Sequence, residues 1–373
     1  MPSATVAVFS ASYGTGHEVA ARELTRRLRD RGFSVERFDF VNALGRRLGP
    51  ATRSTYERQL AYAPSTWGRT LDLLSRPEMV DRCATAVTRI AGARVAAAAQ
   101  GADLIISTYP LASLTLGRLR QAGELTAPVI AYFTDVSVHP LAVSTGADLH
   151  LAPHRLGESQ AYAAGAAADR VVVTAPAVDA SRFHGDLSQA ERDRIRRRFG
   201  LPTRTRLALV SSGAWGAGSV VATARDVLRT GQALPVIACG RNEGLRRRLA
   251  RHGFGPALGW VDAMPDLIAA CDVVVTNACG MTGLEAIACG VPVIAYRSLP
   301  GHGVANARAL DATGLGRHAT DPELLAKVLV DPWPSAFAPD AVTRPREIFD
   351  YPDPVTVITD RIGLNRTPLA SVA

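Results

Sequence analysis

The chain of 373 residues is 47% hydrophobic and 20% charged, with a net charge of +8, which leaves room for two domains that each bury a core. The basic excess is evenly spread, 19 Arg against 15 Asp and Glu in residues 1–175 and 23 basic against 19 acidic residues beyond, so neither half is a nucleic-acid-binding module. No run reaches the roughly 18 apolar residues of a membrane span, the start lacks a signal peptide's basic region, and five cysteines without C-x-x-C or Cys/His spacing point to reduced thiols, no structural zinc and a cytoplasmic chain.

Residues 5–10 read as a buried strand, and Ala11-Ser12-Tyr13-Gly14-Thr15-Gly16-His17 turns it into a basic amphipathic helix over 18–31. A second strand, 34–38, ends at Asp39. Gly14 and Gly16 stand as in a dinucleotide fingerprint, with Asp39 where a ribose-binding acid would be, but Val19 occupies the third glycine position. The other reading is a glycine turn facing a cleft, where an acceptor or donor phosphates approach the backbone, with His17 at the helix start.

Residues 42–76 interleave Leu44, Leu48, Tyr56, Leu60, Tyr62, Trp67 and Leu71 with Arg46, Arg47, Arg53, Arg58, Arg69 and Arg76. Such a stretch suits an anionic membrane interface, or two amphipathic helices with an inward apolar stripe and solvated arginines. A long Ala-rich helix over 78–100 follows, then strand 103–107, helix 111–121 and strand 128–133. Thr134-Asp135 stands at the carboxyl end of that last strand, where ligands bind in open α/β sheets, with His139 four residues on. Asp135 is either a catalytic carboxylate or a turn cap, and His139 either a site residue or a structural histidine ahead of Pro140. Strands at 148–152 and 171–175 complete this half, and 176–186 reads as the linker.

After a helix over 188–199, strand 206–212 runs into a second small-residue loop, Ser211-Ser212-Gly213-Ala214-Trp215-Gly216, and a helix from about residue 219. Strand 234–239 ends in Gly240-Arg241-Asn242, and Leu258-Gly259-Trp260-Val261 follows. The strongest unit spans 272–306. It holds strand 273–276, a turn over Asn277-Ala278-Cys279-Gly280, a helix over 282–288, a Gly290 stop and a strand over 291–295. Unpaired N–H groups where that helix starts, at Gly280, Met281 and Thr282, favour a phosphate or diphosphate. Glu285, one turn on, can follow the phosphates toward a ribose; the plain alternative is a buried turn with a capping Thr and an ordinary helix Glu. Strands alternating with helices throughout give a parallel sheet in each half.

Cys279-Gly280-Met281-Thr282, Glu285-Ala286, Gly290-Val291-Pro292 and Pro300-Gly301-His302-Gly303 with Asn306 together resemble the donor-binding motif of glycosyltransferase family 28. The pattern is similar to that of monogalactosyldiacylglycerol synthases and processive diacylglycerol glucosyltransferases. The segment through Gly14, Gly16 and His17 resembles the Gly-x-Gly-His opening of those enzymes, in which the histidine is close to the reaction centre. Thr134-Asp135 with a following histidine has its match there. Gly240-Arg241-Asn242 stands for Gly-Lys-Asn, and Gly259-Trp260-Val261 for the segment whose backbone reads the base. The departure is His302-Gly303 in place of Gln-Glu, side chains that bind donor-sugar hydroxyls.

The resemblance, from Thr5 to about Asp311, implies an α/β GT-B fold of two Rossmann-like domains with a central cleft. Residues 1–176 would take the acceptor and 177–345 the nucleotide sugar, and the tail 346–373 holds a helix near 355–364 that crosses back. The implied activity is inverting, metal-independent transfer of a hexose-type sugar from a nucleotide sugar, a UDP-sugar, to a hydroxyl of a lipid or other hydrophobic acceptor. No Asp-x-Asp occurs, so helix N-termini and amides, with no metal and no other cofactor, are expected to hold the diphosphate. His17 and Asp135 are the expected catalytic residues, with Asp135 orienting His17 or replacing it as base. Gly213, Arg241, Trp260, Val261, Gly280, Met281, Thr282, Glu285 and His302 form the donor side, and Gly14, Gly16, His139 and Trp67 the acceptor side. The Arg-rich stretch implies peripheral contact with an anionic membrane. A soluble natural-product glycosyltransferase, a sugar-nucleotide epimerase on the same scaffold and a non-enzymatic sensor are the alternatives.

Overall fold

Apolar strand runs bounded by glycine turns alternate with helices twice over, and each series closes into its own parallel sheet. The computed structural model describes residues 4–179, 187–331 and 345–364. Of the expected linker, 180–186 lies outside the described residues.

The first series runs β1 (Thr5–Ser10), α1 (Thr15–Asp30), β2 (Ser34–Asp39), α2 (Phe40–Ala43), α3 (Leu48–Tyr62), α4 (Pro64–Leu73) and α5 (Pro77–Ala98). It continues with β3 (Leu104–Ser107), α6 (Pro110–Gln121), β4 (Val129–Tyr132), β5 (Leu149–Ala152), α7 (Arg155–Ala163) and β6 (Val171–Val173). The strands lie in the order β2-β1-β3-β4-β5-β6. The second series opens with α8 (Gln189–Arg198), β7 (Leu207–Ser211), α9 (Val220–Arg229), β8 (Leu234–Ala238), α10 (Glu243–His252) and β9 (Ala257–Leu258). It closes with α11 (Met264–Ala270), β10 (Val273–Thr276), α12 (Met281–Ala288), β11 (Val293–Tyr296), α13 (His302–Ala312), β12 (Arg317–Ala319) and α14 (Pro322–Val330). These strands lie in the order β12-β11-β10-β7-β8-β9.

Both faces of each sheet are covered, which is why β3, β4, β7 and β10 read as unbroken apolar runs and are buried at every position. Strand order reverses between β1 and β3 in one sheet and between β7 and β10 in the other. Loops leaving adjacent strands in opposite directions open a crevice at their carboxyl ends, so each sheet has one place built for a ligand.

The two halves share a core. One buried cluster runs from Leu24 and Leu28 of α1 through Ala177 and Val178 to Leu284 and Ile287 of α12. The same cluster takes in Ile348 from a 3₁₀ turn, Pro345–Phe349, and Val355 and Ile358 from α15 (Pro354–Ile362). α15 returns to α1, where Asp353 pairs with Arg27 at 2.7 Å and Arg31 at 3.0 Å. Ala175 N–H donates to the Pro352 carbonyl at 2.9 Å beside it. Among the described residues no helix is long and apolar enough to cross a membrane.

The motif segment 300–303 forms a turn and a helix start. Gly301 turns the chain with φ +78, and α13 starts on the next residue, His302. A Cβ on Gly301 would lie 2.6 Å from Leu71 Cδ1 of α4, so the turn needs glycine both for its φ and for the approach of the other domain.

Candidate active site

His17 sits in the first turn of α1, on the strand-to-helix turn that Gly14 caps. Its Nδ1 lies 2.6 Å from the carbonyl of Thr108, just beyond β3, and Thr108 Oγ1 donates back to the His17 carbonyl at 3.0 Å. A carbonyl only accepts, so Nδ1 carries the proton and Nε2 holds a lone pair. Burial pushes this imidazole down to about 4 against the opposing Thr108 bond, and neighbouring His302 adds to the fall. His17 is therefore neutral at pH 7, in the tautomer that accepts a proton at Nε2. Tyr109, Tyr13, Tyr56 and Trp67 continue from it as a chain of ring contacts with centroids 5.0–5.7 Å apart.

Facing it is the amino end of α12. A Cβ on Gly16 would lie 3.6 Å from Met281 Cγ, and one on Gly280 would lie 3.0 Å from Asp135 Oδ1. Cys279, buried ahead of that helix, holds φ 53, a left-handed backbone that a non-glycine residue adopts at a cost. The loop after β7 carries Gly213, Gly216 and Gly218, all at positive φ, and Asn277 Nδ2 ties it to the β10 turn through the Ala217 carbonyl at 2.7 Å. Both loops of the second switch point are thus locked together, with Gly213 facing open space. Ser212 Oγ, Asn277 Oδ1 and Ser298 Oγ are buried here without a hydrogen-bond partner. An unpaired buried polar atom costs about 1–3 kcal/mol, and Ser212, which lines the cavity, marks a place where a polar ligand is welcome.

Asp135 follows β4 and is half-buried beside Gly280. Burial pushes its carboxyl up to about 6, opposed by a hydrogen bond from Asn306. Asn306 of α13 also accepts from Ser137 N–H at 3.2 Å and donates to the Ala278 carbonyl at 3.3 Å, a clip between the two domains. The group orienting His17 is the Thr108 carbonyl, whereas Asp135 is hydrogen-bonded by Asn306. Two more contacts cross the cleft. Trp67 Nε1–H donates to His302 Nδ1 at 3.3 Å, and the Arg53 guanidinium lies 4.8 Å from the centre of the Trp215 ring.

These elements enclose a cavity of about 1470 Å³. Its wall includes His17, Asp135, Gly14, Gly16, Trp67 and His139 from the first domain. Gly213, Gly280, Met281, Thr282 and His302 come from the second. Arg241, Trp260, Val261 and Glu285 lie outside that wall. Arg241 and Trp260 do come together, the guanidinium 4.5 Å from the ring centre, at the carboxyl ends of β8 and β9, where Trp260 is 45% exposed. Glu285 is on α12 one turn past Thr282. His139 is held from both ring nitrogens, Nδ1 accepting from Leu141 N–H at 3.1 Å and Nε2 lying 3.0 Å from the Leu71 carbonyl, so it fastens α4 to the loop after β4. The dinucleotide alternative fails at Asp39, whose Oδ1 accepts from Ser12 N–H at 3.2 Å and Val41 N–H at 3.0 Å and is spent on the turn and the cap of α2. Thr108 escaped sequence reading, since it carries no motif.

Residues 17–178 match the family model of monogalactosyldiacylglycerol (MGDG) synthase. The processive diacylglycerol beta-glucosyltransferases of Bacillus pumilus and Bacillus subtilis are 26% and 25% identical over 239 residues. The match spans 61% of this chain and 61% of each relative's length. Among solved structures, Anabaena HepE in complex with UDP and glucose superposes with a TM-score of 0.56 at 16% identity, over 96% of this chain and 98% of that one. Acinetobacter baumannii MurG gives 0.52 at 14%, over 98% and 100%. At those identities the likeness concerns the fold, two parallel six-stranded domains in the GT-B arrangement. By the family match over 17–178 and by these relatives, the chain is similar to the monogalactosyldiacylglycerol synthases and processive diacylglycerol glucosyltransferases.

Proposed function

We propose that the chain is an inverting glycosyltransferase that moves a hexose-type sugar from a UDP-sugar to a hydroxyl of a diacylglycerol-type lipid. The observation that carries this reading is His17, whose protonated Nδ1 is committed to Thr108 while its ring lines a cavity walled opposite by the amino end of α12. Nε2 takes the acceptor hydroxyl's proton as that oxygen forms its bond to the anomeric carbon. The bond from that carbon to the diphosphate oxygen breaks on the far side, and the electron pair leaves with UDP. The charge that develops there is stabilised by the N–H groups of Met281 and Thr282 and by the glycine loop at Gly213, in place of a metal. Trp260 and Val261 take the base, Arg241 the phosphates and Glu285 the ribose.

The relatives' names and the UDP-bound HepE neighbour support the donor and acceptor classes. So does the aromatic wall from Tyr13 to Trp67, an apolar path fit for acyl chains beside a polar reaction centre. Exposed Leu48, Tyr62 and Leu73 stand among exposed Arg46, Arg47, Arg58, Arg69 and Arg76 on the same helices and their flanks. We extend the reading to peripheral contact with an anionic membrane through that face. The test is a transfer assay with UDP-glucose and UDP-galactose on diacylglycerol in mixed micelles, with and without EDTA. Transfer that survives EDTA supports the reading, and UDP binding with neither transfer nor donor hydrolysis would make the protein a sensor instead.

A further inference from the structure

Two imidazoles in the cavity wall are held in opposite tautomers, and the structure gives the cause of each. His17 Nδ1 faces a carbonyl, so its Nε2 is an acceptor. His302 Nδ1 faces the indole N–H of Trp67 at 3.3 Å, and indole only donates, so the proton of His302 sits on Nε2. Trp67 belongs to α4 of the first domain and His302 opens α13 of the second.

The contact depends on close seating of α4 on the turn before α13. A Cβ on Gly68 would lie 3.0 Å from Pro300 Cβ. The Trp67 ring is fixed from behind by Tyr56, edge to face with centroids 5.0 Å apart. The next position cannot share the work of His302, because a Cβ on Gly303 would lie 2.7 Å from the Asn277 carbonyl oxygen and 3.0 Å from Leu299 Cβ. The turn therefore offers the cavity Leu299, Gly301 and one polar side chain, His302.

We propose that Trp67 is a positioning residue that fixes His302 as a neutral N–H donor toward an oxygen of the transferred sugar, so that this contact forms only with α4 seated on the second domain. The inference rests on the glycosyltransferase reading and deepens it. The nucleotide is held by one domain, whereas its sugar is recognised by a side chain that the other domain sets. A bare nucleotide makes no use of the pair.

The test compares the wild-type full chain with Trp67→Phe, His302→Gln and the double variant. Phe keeps the ring against Tyr56 but cannot donate, and Gln supplies an N–H that needs no partner to orient its proton. Trp67→Phe is expected to raise KM for UDP-glucose or UDP-galactose about five- to tenfold, the worth of one hydrogen bond, with Kd for UDP within about twofold. In the His302→Gln background the same Phe change is expected to cost less than about twofold, so the two sites are coupled. Long-range 1H–15N correlation is expected to give the Nε2–H tautomer of His302 in the wild type and a mixture in Trp67→Phe. An equal loss for UDP and UDP-sugar, or the same Phe penalty in both backgrounds, would overturn the proposal. A His302 tautomer indifferent to Trp67→Phe would overturn the positioning role alone, while absence of UDP binding in the wild type would remove the glycosyltransferase reading and the sugar contact together.

Discussion

His17 and Asp135 both line the cavity, and their environments separate them. Burial lowers the imidazole to about 4 and raises the carboxyl to about 6. A base works only deprotonated, so activity is lost as pH falls through the pKa of whichever group takes the proton. With His17 as base, kcat/KM stays level from pH 8 down to about 5 and drops toward 4; an acid limb centred near 6 would give the proton to Asp135. His17→Ala is expected to cut turnover by about 10²- to 10⁴-fold with UDP affinity kept, as calorimetry beside a turnover assay will show. The same burial affects stability. His17, His150 and His302 are each held near 4, down from 6.5. The unfolded chain therefore binds their protons first, and their contribution is lost as pH falls from 6.5 to 4. Asp135 works the other way between about 6 and 3.8, but three groups outweigh one. The urea midpoint is expected to fall across that window, and a flat midpoint would count against buried neutral histidines. His17 was legible because strand, glycine turn and helix start are neighbours in the chain. The Trp67–His302 contact was not, because no local pattern reports a partner 235 residues away.

Single elements carry the geometry of the second domain's cavity wall. The loop after β11 begins at Arg297, a second non-glycine residue in left-handed backbone, φ 48. It is held by Asp226 of α9, whose Oδ2 accepts from Arg297 Nε at 2.9 Å and Nη2 at 2.7 Å and from the Tyr296 hydroxyl at 3.0 Å. Asp226→Ala releases that turn and strands the arginine. About 2 kcal/mol of stability is expected to go with it, seen as a lower urea midpoint, together with weaker sugar-nucleotide binding; no change in either would mean the loop is held by other contacts. Across the molecule, α3 and α4 divide their apolar residues. Leu60 and Leu71 are buried and Tyr56 and Trp67 wall the cavity, while Tyr62, which also lines it, is 87% exposed. Tyr62→Ser with Leu48→Ser is expected to reduce sedimentation with anionic vesicles several-fold while leaving binding to UDP alone intact, and equal binding to zwitterionic vesicles would argue against the arginine contribution. Sequence reading gave the strand Val273–Thr276 to the residue, because a fully buried β-branched run between polar turns has one interpretation. It passed over α10, where Leu249 alone is buried and the apolar pattern is too thin to see. Gly301 bends the chain and α13 starts immediately behind it, at His302.

At the scale of the whole molecule, the two domains are tied at the back and meet at the front. The back tie is the strap from the 3₁₀ turn on α12 to α15 on α1, fixed by Arg27, Arg31 and Asp353. The front contacts include Trp67 to His302, Ser137 to Asn306 and Arg53 over Trp215, beside the close approach of Gly68 to Pro300. The paired parallel sheets were legible from alternating periods alone, since strand and helix patterns are local. How the sheets face each other depends on contacts between distant residues, and no single stretch of sequence encodes it. The central claim is that this cleft grips a nucleotide diphosphate from the second domain and presents its sugar to His17. A co-crystal with UDP measures that directly. The diphosphate is predicted within hydrogen-bond distance of the main-chain nitrogens of Met281 and Thr282 and of the loop at Gly213. A diphosphate seated on Gly14 and Gly16, with the amino end of α12 empty, would contradict it.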